Sequence, residues 1–147
     1  MYFRLSRFIA VAALPALAAC ASVVDDRDTT FLRTRKSDDG KFIVAMRPLL
    51  EPLPVNQIHS WAISLTTPKG APVSNAVFFI GGGMPDHGHG FPTSPRVVAQ
   101  SAAGSYMLEG MKFSMNGRWE IKFAIQAAEV SDMVTFNTMV ELPAVRK

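Results

Sequence analysis

Trp119-Glu120-Ile121-Lys122-Phe123-Ala124-Ile125 sets a large hydrophobe at every second position from Trp119 to Ile125, with Glu120 and Lys122 between them. Successive side chains of a β-strand point to opposite faces, so this period reads as a half-buried antiparallel strand. The same period runs through Ile58 to Thr67. There His59, Trp61, Ile63 and Leu65 share one face, and Ser60, Ala62 and Ser64 share the other. Phe42 to Met46, Val73 to Ile80, Val97-Val98, Ser105 to Leu108 and Met133 to Val140 bring the total to some seven short strands. Turn residues such as Pro68-Lys69-Gly70 lie between them. Pro48, Pro52 and Pro54 hold residues 47–54 irregular or at an edge. The expectation is an all-β, two-sheet antiparallel sandwich of about seven strands. A long loop runs from Gly81 to about Pro95, and residues 122–130 admit at most a helical turn.

Upstream of this domain the chain changes character. Arg4 and Arg7 precede an uncharged run from Phe8 to Leu17, followed by Leu17-Ala18-Ala19-Cys20. A basic start, a short apolar stretch and small residues before a cleavage point make an export signal, too short to span a bilayer comfortably. Leu-Ala-Ala-Cys resembles the lipobox of bacterial lipoproteins, which implies cleavage before Cys20 and acylation of its sulfur. Two or three acyl chains anchor stably where one would bind marginally. The expected organisation is a lipoprotein signal peptide at 1–19, a lipidated Cys20 with a polar tether at 20–40, and one domain at 41–147. Asp25 and Asp26, with no acidic residue beside the cysteine, resemble the pattern of outer-membrane lipoproteins, which implies outer-membrane sorting with the domain facing the periplasm.

Composition narrows the function classes. The formal net charge of +3 includes Arg4 and Arg7, so the chain beyond Ala19 is nearly neutral. That excludes an argument for nucleic acid or for a polybasic membrane patch. Cys20 is the single cysteine, so no disulfide forms within the chain and no thiolate is left for a metal. Methionine is plentiful, at eight residues, against three histidines.

The stretch that carries chemistry is Gly81-Gly82-Gly83-Met84-Pro85-Asp86-His87-Gly88-His89-Gly90. Two histidines stand two apart, with a methionine three residues before the first and glycines on both sides. Imidazole serves both oxidation states of copper and thioether favours Cu(I). Zinc is the weaker reading, with two His, one carboxylate at Asp86 and no thiolate. The alternative is a polar glycine-rich loop whose histidines bond to the backbone. Met111 and Met115 are either core residues or the groups that complete a site of Met84, His87 and His89. His59 shares a face with Trp61 and Ile63, which favours a core or rim histidine. Phe91, Trp61 and Trp119 are candidates for an apolar wall beside the site. No nucleophilic triad is evident: Ser101 and Ser105 lack a Gly-x-Ser-x-Gly setting and a paired base. Gly81 to Gly83 lack the Lys-Ser/Thr ending of a phosphate loop. The chain reads as no enzyme.

Met84 to Gly90, Gly104-Ser105-Tyr106 and Gly110 to Glu120 together resemble the YtkA-like domain family, related to the soluble part of FixH proteins. The resemblance covers about residues 42–141, and Gly70-Ala71-Pro72-Val73 matches that family's turn and strand. It implies an immunoglobulin-like sandwich outside the cytoplasm, with links to copper handling and respiratory oxidase assembly. It also implies Met84, His87 and His89 as copper ligands, with Met111 or Met115 completing the set. The main expectation is an envelope lipoprotein that carries or buffers a copper ion, with Cu(I) favoured. The alternative is a protein-interaction or structural lipoprotein, or an accessory subunit in oxidase assembly, with an envelope protein as partner.

Overall fold

The computed structural model describes residues 33–142, so the signal segment and Cys20 lie outside the described residues. Nine strands run in the order β1 (Thr34–Lys36), β2 (Ile43–Pro48), β3 (His59–Thr66), β4 (Val77–Met84), β5 (His89–Gly90), β6 (Arg96–Ala102), β7 (Ser105–Met111), β8 (Gly117–Ala127) and β9 (Val130–Val140). They form a five-stranded sheet, β1-β2-β3-β7-β6, and a four-stranded sheet, β5-β4-β8-β9. Every strand pairing is antiparallel. The all-β, two-sheet expectation holds, with nine strands among the described residues rather than about seven. No helix among those residues is long and apolar enough to cross a membrane.

Alternation in the sequence becomes burial in the fold. His59, Trp61, Ile63 and Leu65 face inward on β3, and Trp119, Ile121, Phe123 and Ile125 face inward on β8. Leu65, Leu108, Trp119, Ile121 and Phe123 are wholly withdrawn from solvent. Each such side chain contributes roughly 1.5–3 kcal/mol relative to exposure. Phe78 meets Phe123 and Tyr106 edge-on at 6.0 and 4.9 Å between centroids. The Tyr106 hydroxyl donates to the Val73 carbonyl at 2.7 Å and accepts from the Ala76 N–H at 3.0 Å, which fastens the approach to β4.

Three local expectations are revised. Gly81 to Gly83 continue β4 instead of opening a loop, because glycine lets two backbones close on this strand from either side. A Cβ on Gly82 would stand 2.1 Å from the Glu120 carbonyl oxygen, and one on Gly83 2.2 Å from that of His89. Residues 122–127 stay in β8, and where the sequence admitted a helical turn there is a hairpin turn after Ala127, with Ala128 at φ 49°. Thr34–Lys36, within the stretch read as tether, pairs with β2.

Asp132 fixes the turn that joins β1 to β2. Its carboxylate accepts from the N–H groups of Asp39 and Lys41, each at 3.1 Å, and from Met133 at 2.7 Å. Burial alone would raise its pKa. Hydrogen bonds from Ser37, Asp39, Lys41 and Met133 outweigh that and hold it well below the usual carboxylate range.

Candidate functional site

Strand direction brings the chemistry to one end of the sandwich. His59 opens β3, Met111 closes β7, Met84 closes β4 and Trp119 lies near the start of β8. Phe113 ties the two sheets together at this end, with its ring 5.1 Å from His59 on one side and 5.1 Å from Trp119 on the other. All three histidines of the chain therefore meet the same end, together with Met84, Met111, Met115 and Met139. Met139 is the register partner of Arg118.

Between β4 and β5 the chain makes one 3-10 turn over Pro85–His87, and Gly88 leaves it in the left-handed region at φ 67°. Gly88 donates to the Met84 carbonyl at 2.9 Å, which closes the turn. Met84 and His89 are then register partners. The His87 and His89 rings are 6.1 Å apart, and both residues are exposed. His89 rests edge-on against Trp119 at 5.5 Å, and Phe91 stacks flat on the same indole at 5.8 Å. The indole N–H donates to the Met115 carbonyl at 3.1 Å. An aromatic wall thus exists, built from Phe91, Trp119 and Phe113, while Trp61 lies farther in beside His59 at 6.2 Å.

Outside the turn, Arg118 donates to both carboxylate oxygens of Asp86, at 3.0 and 3.4 Å. The guanidinium holds the Asp86 pKa below its ordinary value. Asp86 is therefore engaged with Arg118 across the mouth of the turn. A shallow cavity of about 340 Å³ lies beside it, lined by Gly83, His89, Gly90, Glu120 and Lys122 among others.

The five expected ligands divide by depth. His87 and His89 are exposed, and Met115 is exposed on the loop before β8. Met84 is buried, its terminal methyl packed over Gly117, where a Cβ would stand 2.8 Å away. Met111 is completely enclosed on the five-stranded sheet, opposite His59. Among the described residues no three His, Cys, Asp or Glu side chains converge as a metal-holding group.

His59 carries more than its alternation implied. Its Nδ1 lies 3.1 Å from the Gln57 carbonyl, and a carbonyl only accepts, so Nδ1 bears the proton. Nε2 is then a bare lone pair, buried with no hydrogen-bond partner. Burial lowers the pKa of this histidine, against a smaller opposing effect of the Gln57 bond.

The YtkA-like family matches residues 48–124, which include both histidine positions of the turn, His59 and the start of β8. The chain belongs to that family, whose domains are non-catalytic. Among curated proteins none matches it. A crystal structure of a DUF4426 family protein from Pseudomonas aeruginosa is similar, with a TM-score of 0.53 and 17% identity, over 73% of this chain and 94% of that one. The ZirS C-terminal domain is similar at a TM-score of 0.42 and 11% identity, over 90% of this chain and 86% of that one. The first likeness supports the fold alone.

Proposed function

We propose that this YtkA-like domain is a non-catalytic binding module of the bacterial envelope that docks a partner protein through its histidine- and methionine-bearing end. The observation that carries the reading is the meeting of His59, His87, His89, Met111, Met115 and Trp119 at one end of an otherwise ordinary sandwich. The exposed imidazoles stand beside a rigid aromatic base, with Met115 exposed on the loop before β8, an anatomy suited to an apolar anchor with a polar rim. Cys20 acylation would tether the domain through residues 20–40 to the outer membrane, facing the periplasm. The partner is then fixed at the envelope or comes to it, and oxidase assembly is one setting that the family resemblance implies. The two sheets take the immunoglobulin-like arrangement in this reading. A photo-cross-linking residue at Asn116 of the full-length lipoprotein tests it in cells: one discrete adduct with an envelope protein supports docking here.

One observation favours copper as a second reading. His89 Nδ1 donates to the Gly90 carbonyl at 3.0 Å, which leaves Nε2 unprotonated on an exposed ring 6.1 Å from that of His87. Two exposed imidazoles, with the Met115 thioether exposed on the loop before β8, are donors suited to Cu(I). Titration with Cu(I) against a competing chelator tests it, with His87→Ala/His89→Ala expected to bind one equivalent fewer than the parent. Equal stoichiometry in parent and double variant rejects it.

A further inference from the structure

β7 carries a bulge where it meets the start of β3. His59 pairs with Met111 but Trp61 pairs with Leu108, so three steps on β7 oppose two on β3. Gly110 takes φ 80° within this bulge, and its carbonyl accepts from the Thr93 hydroxyl at 2.6 Å. In a regular strand, residues three apart point to opposite faces. Leu108 faces inward, so Met111 would face solvent without the extra residue. The bulge returns it to the core, where it is completely buried. Bulges recur where a side chain must be re-aimed.

The bulge sets Met111 opposite His59 in the strand register. Directly opposed residues of an antiparallel pair project from the same face, with Cβ atoms about 4.5–5.5 Å apart. His59 is 6% exposed, and its bare Nε2 has no partner. A histidine whose other ring nitrogen is held by a backbone carbonyl is oriented as metal-ligating histidines are. The neighbouring rings are Phe113 at 5.1 Å and Trp61 at 6.2 Å. No carboxylate or thiolate completes a charged cluster among the described residues. Two neutral donors in an apolar wall do not compensate a divalent ion, whose desolvation cost grows as the square of its charge. Imidazole and thioether suit a soft monovalent one, and the aromatic faces add cation–π attraction.

We propose that His59 Nε2 and the Met111 thioether bind one Cu(I) ion inside the sandwich end, a site separate from the exposed His87/His89 turn. It does not rest on the docking reading, and removing the turn histidines isolates it from the second reading. The test uses the full-length chain in detergent with His87→Ala/His89→Ala, titrated with Ag(I) as a closed-shell substitute and followed by NMR. One equivalent is expected to bind, shifting His59 Nε2 and the Met111 methyl together. Met111→Leu, which conserves volume, is expected to weaken Cu(I) at least tenfold under a competing chelator while keeping a native amide spectrum. His59→Phe is expected to abolish binding. No bound silver in the double variant overturns the proposal. So do shifts confined to other methionines, or unchanged affinity in a folded Met111→Leu protein.

Discussion

Phe91 lies flat on Trp119, with ring centroids 5.8 Å apart and planes 6° from parallel. The residue that follows β5 is thereby fastened to the first buried residue of β8. The His87/His89 turn ends just before Phe91, and the His89 ring rests on the same indole, so that imidazole is held against a fixed surface. Replacing Phe91 by Ala removes the stack and half-buried area. The expected cost is about 1–2 kcal/mol, read as a lower urea midpoint. Amide exchange should quicken at Gly83 and Gly88 to Gly90 before it does in β9.

The glycines of β4 should separate sharply on substitution. Gly82→Ala places a methyl against the Glu120 carbonyl at φ 131° and is expected to cost at least about 2 kcal/mol. Gly81→Ala meets nothing within 4 Å and should stay within about 0.5 kcal/mol of the parent. Thermal unfolding of the two variants side by side measures the contrast.

Asp132 sets the acid limb of stability. Its folded pKa lies below the unfolded value near 3.9, so the folded state binds fewer protons. Its contribution is full above that unfolded value and is lost as pH falls towards the folded one. Asp132→Asn should therefore cost about 1.5–3 kcal/mol at pH 7. The gap between variant and parent should narrow below about pH 4 in urea titrations.

Met84 separates packing from ligation. With 2% exposure and its methyl over Gly117, its side chain is committed to the core. Met84→Ala is expected to lose about 2–5 kcal/mol, and Met84→Leu less than about 1.5. Met84→Leu should leave Cu(I) affinity at the His87/His89 turn unchanged in a chelator competition.

What the sequence made legible follows from local physics. The alternations of residues 59–65 and 119–125 reported their buried faces directly, since side-chain period is a property of neighbouring residues. The Gly81 to Gly83 strand was hidden because glycine has no side chain to alternate, and only the Glu120 and His89 backbones explain the gap. The turn from Met84 to Gly90 was legible as chemistry. The depth of Met84 was not, because it depends on Gly117 from another strand. The pairing of His59 with Met111 joins residues far apart in the chain. Gly110 inside an apolar strand was the available signal for the bulge, since an isolated glycine there often marks one.

The central claim is that the histidine- and methionine-bearing end is the docking surface. The rival surface is the outer face of the four-stranded sheet, where Phe79, Ala124 and Met133 align in register and Phe79 and Met133 are exposed. Cross-linking residues placed singly at Asn116 and at Met133 of the full-length lipoprotein, activated in cells, compare the two. The account predicts a discrete envelope-protein adduct from Asn116, reduced by His87→Ala/His89→Ala, and none from Met133. An adduct from Met133 with none from Asn116 would contradict it.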